Sequence, residues 1–134
     1  MSFYLGRQIS EEIVRVSAHY PILTVTGPRQ SGKTTLCKHL YPDYPYVNLE
    51  DLSLRELVKA NPKAFLQQYP NGVILDEVQT LPELFSYLQV VSDANPERKY
   101  VLTGSSQLTL MQSVTQSLAG RTALFTLLPL SLSE

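Results

Sequence analysis

A loop at residues 27–34, with the sequence GPRQSGKT, has the residue types and spacing of a phosphate-binding loop. Four residues separate Gly27 from Gly32, and Lys33 and Thr34 follow at once, which is the Walker A pattern. Glycines let the backbone curl so that N–H groups point at phosphate oxygens, and the next helix adds the positive end of its dipole. Lys33 would bring a compact charge to the β and γ phosphates, and Thr34 a hydroxyl to Mg²⁺. The predicted nucleotide-binding residues are Gly27, Pro28, Arg29, Gln30, Ser31, Gly32, Lys33, Thr34 and Thr35.

A second motif, VILDE at residues 73–77, places two acidic side chains at the end of a short apolar stretch. This is the arrangement of a Walker B segment, in which Asp76 would hold Mg²⁺ through a water and Glu77 would orient the attacking water. We therefore assign Thr34 and Asp76 to the metal, and Glu77 to catalysis together with Lys33. The alternative is an acidic strand end that merely faces solvent, but the phosphate loop upstream favours the functional interpretation.

A third motif, LTGSS at residues 102–106, ends a later apolar stretch. In P-loop ATPases with an additional strand, a polar residue at this place senses the γ phosphate and the water. Thr103, Ser105 and Ser106 are all candidates, and Ser105 is the preferred one. The plain alternative for Ser106 is a cap on the helix that follows.

Two further side chains, Gln79 and Arg121, could complete such a site. Gln79 comes two residues after Glu77 and could help to position water. Arg121 ends the sequence LAGR before the last apolar stretch. It could act as an arginine finger, in cis or from a neighbouring subunit, and stabilise charge as the terminal phosphate leaves. The alternative for Arg121 is a surface ion pair of little energetic weight.

The apolar stretches that must position these motifs predict alternating strands and helices. The strands are short, apolar and mostly without polar alternation, which is typical of a parallel sheet covered on both faces. We therefore predict an α/β protein with three layers, in which helices cover both sides of a sheet of about five strands. We expect strands at residues 22–26, 46–49, 73–76, 99–103 and 122–128, and helices at residues 10–20, 33–40, 52–60, 63–69, 82–94 and 107–118.

The bulk composition describes a single ordinary domain without a strong charge. The chain has 134 residues, a formal net charge of −1 and a pI near 6.1, so nucleic acid as a partner has no electrostatic support. Cys37 is the sole cysteine, which excludes an internal disulfide and fits a reducing compartment. No signal peptide opens the sequence, and no apolar run approaches the roughly 20 residues that span a bilayer. We expect a soluble cytoplasmic protein with no membrane partner.

Taken together, these segments resemble the AAA-type ATPase domain of prokaryotic ATP-binding proteins that carry a C-terminal domain of unknown function. The resemblance covers residues 4–134, nearly the whole chain. It rests on LTVTGPRQSGKTTL, YVNLED, VILDEVQTLPELFSYLQVVSD, YVLTGSSQLTLM, SLAGR and LLPLSLSE.

The resemblance implies a three-layer α/β/α P-loop NTPase of the additional-strand class, with a parallel sheet in the order 5-1-4-3-2. It implies nucleotide and Mg²⁺ contacts by Lys33 and Thr34, metal binding by Asp76 and a catalytic base at Glu77. It also identifies residues 103–106 as the first sensor and Arg121 as the arginine of the family's Gly-Arg. The family's proteins continue beyond PLS, so we expect a helical lid and a C-terminal partner domain to follow the core at 1–134.

The resulting prediction is an ATP-binding domain with Mg²⁺-dependent ATP hydrolysis, coupled to conformational change in an attached or partner domain. A homo-oligomer is a further option for a partner. A GTPase switch is disfavoured because the sequence contains no Asn-Lys-x-Asp stretch. A small-molecule kinase is disfavoured because only Arg121 follows Arg98 among the arginines. The remaining alternative is a nucleotide-gated module that binds DNA or protein without significant hydrolysis of its own.

Overall fold

The structure is a computed structural model that describes residues 2–28, 32–105 and 107–127. Helices and strands alternate along most of this chain, as the apolar stretches predict. In chain order the elements are α1 (Ser2–Ser17), β1 (Ile22–Thr26), α2 (Lys33–Leu40), β2 (Tyr46–Asn48), α3 (Leu52–Ala60), α4 (Pro62–Gln67), β3 (Gly72–Asp76), a short 3-10 turn (Val78–Thr80), α5 (Leu84–Ala94), β4 (Lys99–Gly104), α6 (Gln107–Ser117) and β5 (Thr122–Thr126).

The five strands form one sheet in the order β2-β3-β4-β1-β5. This is the predicted order 5-1-4-3-2 read from the other edge, so the expected topology is confirmed. Each pair of neighbouring strands is parallel. Because the strands are parallel, their carboxyl ends all meet at one edge of the sheet, and the loops that follow them are brought together there.

The two faces of the sheet are covered by different helices, which gives the three predicted layers. Successive side chains of a strand point to opposite faces, and the buried residues divide accordingly. On one face Leu23, Val25 and Ile74 pack with residues of α1 and α2, including Ile13 and Cys37. The other face packs with residues of α3–α6, and its strand residues are Ile22, Val47, Val73, Leu75, Tyr100 and Leu102. No helix within the described ranges is long and apolar enough to cross a membrane.

Most predicted boundaries are confirmed to within two residues, and local chemistry explains several of them. The predicted break between two helices at Asn61-Pro62 is confirmed: the Asn61 side chain accepts a hydrogen bond from the N–H of Ala64 at 3.1 Å. The predicted start of the helix at Pro82 is wrong by two residues. The N–H of Phe85 donates to the carbonyl of Pro82, so residues 82–83 form a tight turn before α5 begins.

The first helix departs most from its prediction. We expected residues 10–20, but α1 runs from Ser2 to Ser17. Ser10 is favourable as a helix cap and yet tolerated inside a helix, and nothing before it forces the helix to begin there. At the other end, Pro21 disfavours helical geometry in the residue that precedes it. The helix ends at Ser17, and Tyr20 lies outside it.

Candidate functional site

The carboxyl ends of three neighbouring strands bring the predicted motifs together. The loop after β1 begins at Gly27, whose N–H donates to the carbonyl of Gly104 at the end of β4. Thr26 lies in register with Gly104, and Asp76 ends β3 on the other side of β4. The sheet therefore places the phosphate loop, the acidic pair and the LTGSS motif side by side.

In the described part of the phosphate loop, the backbone conformation is the one needed for the chain to turn into α2. Gly32 precedes α2 with φ 88° and ψ 12°, a left-handed conformation that a residue with a Cβ adopts only at a cost. Lys33 begins α2 and is 4% exposed, with its ammonium 3.5 Å from the carbonyl of Pro28. Thr35 is exposed on the helix. Of the predicted nucleotide-binding residues, Arg29, Gln30 and Ser31 lie outside the described residues.

Three hydroxyl groups converge on the carboxylate of Asp76, which is 6% exposed. Thr34 of α2 donates to Oδ1 at 3.0 Å. Thr103 of β4 donates to the same oxygen, and the hydroxyl of Tyr46 in β2 donates to Oδ2. Side chains from three separate elements therefore hold one carboxylate at the edge of the sheet.

The oxygen atoms of this cluster are of the kind that Mg²⁺ requires. Mg²⁺ takes oxygen ligands, keeps several waters and is bound by one or two protein groups together with substrate phosphates. Thr34 and Asp76 supply a hydroxyl and a carboxylate 3.0 Å apart, and the buried ammonium of Lys33 lies at the start of the same helix. These residues therefore fit the metal and the phosphates that the motifs predict.

Glu77 is held by a second group of contacts. One of its carboxylate oxygens accepts hydrogen bonds from Ser105 at 2.8 Å and from the amide of Gln79 at 2.7 Å. Its other oxygen lies 3.6 Å from the ammonium of Lys33. The backbone N–H of Glu77 donates to the hydroxyl of Thr103 at 3.0 Å. The LTGSS motif thus contacts both acidic side chains: Thr103 donates to Asp76 and Ser105 donates to Glu77. Ser106 lies outside the described residues.

The backbone at Glu77 is strained. Its φ of 60° makes it the one non-glycine residue with positive φ in the described ranges. Such a conformation costs of order 1–3 kcal/mol and persists only where the surroundings enforce it. Asp76 and Glu77, although adjacent in the chain, have different side-chain partners: Asp76 contacts Thr34, Tyr46 and Thr103, and Glu77 contacts Gln79, Ser105 and Lys33.

Tyr46 is the contributor to the site that the sequence motifs did not identify. It opens β2, in register with Ile74, two residues before Asp76 in β3. The ammonium of Lys38 in α2 lies 3.9 Å from the centre of its ring. Burial, together with the hydrogen bond to Asp76, raises the pKa of Tyr46 well above its ordinary value, so the phenol is a neutral donor. Strand alternation could have placed Tyr46 on the face of Asp76, but only after the two strands were known to be neighbours.

Arg121 lies far from the phosphate loop of its own chain. It precedes β5, and its carbonyl accepts a hydrogen bond from the N–H of Ile22, the first residue of β1. The phosphate loop follows the last residue of β1, so five residues of strand, roughly 16 Å, lie between them. Its guanidinium pairs with both oxygens of Asp93 on α5, at 2.8 and 2.9 Å. A finger acting in cis does not fit this placement, whereas one acting from a neighbouring subunit stays a prediction.

Comparison with known proteins agrees with this geometry. The model of the AAA domain family matches residues 19–134. An uncharacterized protein of Mycobacterium tuberculosis is 30% identical over 131 residues, which cover 96% of this chain and 30% of that protein. An uncharacterized protein of Methanocaldococcus jannaschii is 28% identical over 123 residues, covering 84% of this chain and 27% of that protein. The chain therefore spans less than a third of the length of these two relatives.

A solved structure with the same fold is also known. The Walker-type ATPase of Pyrococcus abyssi superposes with a TM-score of 0.63 at 17% identity, over 92% of this chain and 53% of that one. At this identity the match supports the fold, while the family model supports the membership. The chain belongs to the AAA domain family, and its fold is that of a P-loop ATPase domain.

Proposed function

We propose that this domain binds ATP with Mg²⁺ and hydrolyses it, with Glu77 as the catalytic base. The observation that carries the proposal is the position of the Glu77 carboxylate. It lies beside the Lys33 ammonium at 3.6 Å and belongs to the residue immediately after Asp76, whose Oδ1 accepts a hydrogen bond from Thr34. A carboxylate so placed can take a proton from a water that approaches the terminal phosphate.

Each of the other side chains has a distinct part in this proposal. Lys33 neutralises charge on the β and γ phosphates, and Thr34 and Asp76 hold the metal, which when bound withdraws charge from the phosphate oxygens. Ser105 and Gln79 hydrogen-bond to Glu77 and fix the direction of its carboxylate. Ser105 is therefore the proposed sensor, because a γ phosphate that contacts its hydroxyl would also disturb the base.

Replacing Glu77 by Gln tests the role of the base. Glutamine has the same shape but cannot accept a proton at neutral pH, so we expect ATP hydrolysis to fall by about 100-fold or more, the usual weight of a general base. Nucleotide affinity, measured by calorimetry with a non-hydrolysable ATP analogue, should stay near the wild-type value. Hydrolysis is measured as phosphate release at saturating ATP and Mg²⁺.

Glu56→Gln is the matched control for this experiment. Glu56 is an exposed residue of α3 whose contact is a weak pair with Lys59 at 4.0 Å, so its replacement should leave both measurements unchanged. Turnover at the wild-type rate in Glu77→Gln would show that the base is another group.

We further propose that hydrolysis drives conformational change in an attached or partner domain, in an assembly where Arg121 reaches the nucleotide of a neighbouring copy. The placement of Arg121 at the sheet edge opposite the phosphate loop supports this, because a neighbour could present its own nucleotide to that edge. The pair with Asp93 is exposed, and water and salt screen the attraction between exposed charges. A phosphate could therefore replace Asp93 as the partner of Arg121 at little energetic cost.

A further inference from the structure

We propose that Tyr46 is a positioning residue for the metal-binding carboxylate, and that its hydroxyl sets how strongly Mg²⁺ strengthens nucleotide binding. This inference rests on the proposed function, because it concerns the Asp76 that the proposal assigns to the metal. The proposal adds a residue of β2 to a site otherwise built from the phosphate-loop helix and the ends of β3 and β4.

The two oxygens of the Asp76 carboxylate have different hydrogen-bond donors. Thr34 and Thr103 both donate to Oδ1, and in the described part of the chain Tyr46 is the donor to Oδ2. Hydrogen bonds tolerate some change of angle, so two donors on one oxygen still allow the carboxylate plane to swing as χ1 and χ2 vary. A third hydrogen bond, to the opposite oxygen, restrains this motion from the other side of the group.

The orientation of the carboxylate matters because it is shared with Thr34. The Thr34 hydroxyl donates its single proton to Oδ1 of Asp76, so the position of Oδ1 determines the direction of the Thr34 lone pairs. If the carboxylate turned, both the carboxylate oxygen and the Thr34 lone pair would leave the direction of the metal. Hydrogen bonds that orient a metal ligand in this way usually account for a 10–100-fold change in metal affinity or activity, as an approximate range.

Tyr46 is itself held in place by the phosphate-loop helix. Lys38 lies four residues after Thr34 on α2, and therefore on the same side of the helix. Its ammonium lies 3.9 Å from the centre of the Tyr46 ring, within the range of a cation–π contact. Lys38 of α2 thus contacts the face of the ring, and Asp76 accepts the hydrogen bond of the hydroxyl. Although 37% of Tyr46 is exposed, both the ring and the hydroxyl have defined partners.

The test is the Mg²⁺ dependence of nucleotide binding in Tyr46→Phe, a change that removes one hydroxyl and keeps the ring. The dissociation constant of a non-hydrolysable ATP analogue is measured by calorimetry in excess Mg²⁺ and in EDTA, and the ratio of the two constants is compared with that of the wild type. We expect the gain that Mg²⁺ provides to fall by about 10-fold, with binding in EDTA unchanged. Lys38→Met, which keeps the hydroxyl but releases the ring, should reduce the same ratio by less.

Tyr87→Phe is the matched control, because Tyr87 on α5 has a similar exposure of 39% and lies on the other side of the sheet from α2. It should keep the wild-type ratio. A wild-type ratio in Tyr46→Phe would overturn the inference about Tyr46 alone, as would an equal loss of affinity in Mg²⁺ and EDTA, which indicates a packing role. A wild-type protein whose nucleotide binding ignores Mg²⁺ would instead overturn the proposed function, and this inference with it.

Discussion

At the scale of single residues, Cys37 shows how closely the site is packed against the core. It lies one turn after Lys33 on α2 and is fully buried between that helix and the sheet. Burial, reinforced by the nearby Asp76 carboxylate, raises the pKa of the Cys37 thiol from 9.0 to about 12, although Lys33 acts in the opposite direction. The thiol is therefore a small apolar group of the core at neutral pH, and a poor nucleophile.

This raised pKa predicts a loss of stability at alkaline pH. Below about pH 9 the thiol keeps its proton in both the folded and the unfolded chain, so it does not affect the pH dependence of unfolding. Between about pH 9 and 12 the unfolded chain releases the proton and the folded chain does not. The free energy of unfolding should therefore fall with rising pH, by up to about 1.4 kcal/mol per pH unit from this group.

Comparison with Cys37→Ala isolates the contribution of the thiol, including its effect on the pKa of the neighbouring Tyr41. Urea unfolding at intervals from pH 8 to pH 11 is the measurement. The variant should be less stable at pH 8, because it leaves a small cavity, and the difference should shrink above pH 9. Two stability curves that stay parallel over this range would contradict the prediction.

At the scale of elements, the junction between β4 and α6 controls the surroundings of the proposed base. Gly104 ends β4, and a Cβ atom added there would lie 2.5 Å from Leu110 Cδ2 and 2.8 Å from Gln79 Oε1. The absence of a side chain at Gly104 therefore lets α6 and the turn after Glu77 pack against the strand. Gln79 in turn hydrogen-bonds to Glu77 at 2.7 Å.

We expect Gly104→Ala to reduce both stability and turnover. Such overpacking usually costs about 1–3 kcal/mol, and the displacement of Gln79 would leave the Glu77 carboxylate without one of its donors. Urea unfolding reports the first effect, and phosphate release at saturating ATP reports the second.

Gly120→Ala separates these effects from the general cost of replacing a glycine. Gly120 has φ 78° with no atom within 4 Å of an added Cβ, so alanine there meets only backbone strain, of about 1–2 kcal/mol. Turnover per folded molecule should fall less in Gly120→Ala than in Gly104→Ala, because Gly120 precedes Arg121 and makes no contact with Gln79. If Gly104→Ala kept the wild-type turnover, the hydrogen bond from Gln79 would have no part in catalysis.

The sequence predicted most elements because their limits have local causes. Short apolar stretches that end in glycine or in acidic residues define β1 and β3, and Asn61-Pro62 separates α3 from α4. The start of α1 could not be predicted, because no residue near Ser10 obliges a helix to begin there. The role of Tyr46 depends on which strands are neighbours and on their register, which local sequence does not contain.

At the scale of the whole molecule, Arg121 lies at the amino ends of the parallel strands and the phosphate loop at their carboxyl ends. The register between β1 and β5, with Ile22 opposite Thr122 and Thr26 opposite Thr126, fixes this separation. The LAGR motif identified Arg121 as a candidate, and the parallel register shows that it is remote from the phosphate loop of its own chain. A complete site in the proposed assembly needs residues from two copies of the chain.

Mixing two inactive variants tests this arrangement. Arg121→Ala keeps an intact phosphate loop but lacks the finger, and Lys33→Ala keeps the finger but cannot hold the phosphates. Each should hydrolyse ATP slowly on its own. A mixture should regain part of the wild-type rate, because one copy supplies the nucleotide and the other supplies Arg121.

The measurement is phosphate release over a series of mixing ratios, with light scattering in the presence of ATP to follow assembly. A mixture of Lys33→Ala with Glu77→Gln is the control, because neither protein can supply a complete site around its own nucleotide. If the mixture of Arg121→Ala and Lys33→Ala stayed inactive while assembly occurred, Arg121 would not act between copies. Failure of the wild type to assemble with nucleotide would also exclude that role.

The three hydroxyl groups that hold Asp76 also determine when the site can form during folding. Thr34, Tyr46 and Thr103 lie 42, 30 and 27 residues from it along the chain, so the cluster consists wholly of long-range contacts. In addition, β4 lies between β1 and β3 in the sheet but follows both in the chain. The phosphate loop and Asp76 therefore cannot be brought to their final spacing until β4 has been synthesised and inserted. Such contacts form slowly because loop closure precedes any gain from them, and a growing chain acquires its nucleotide site only after β4 has joined the sheet.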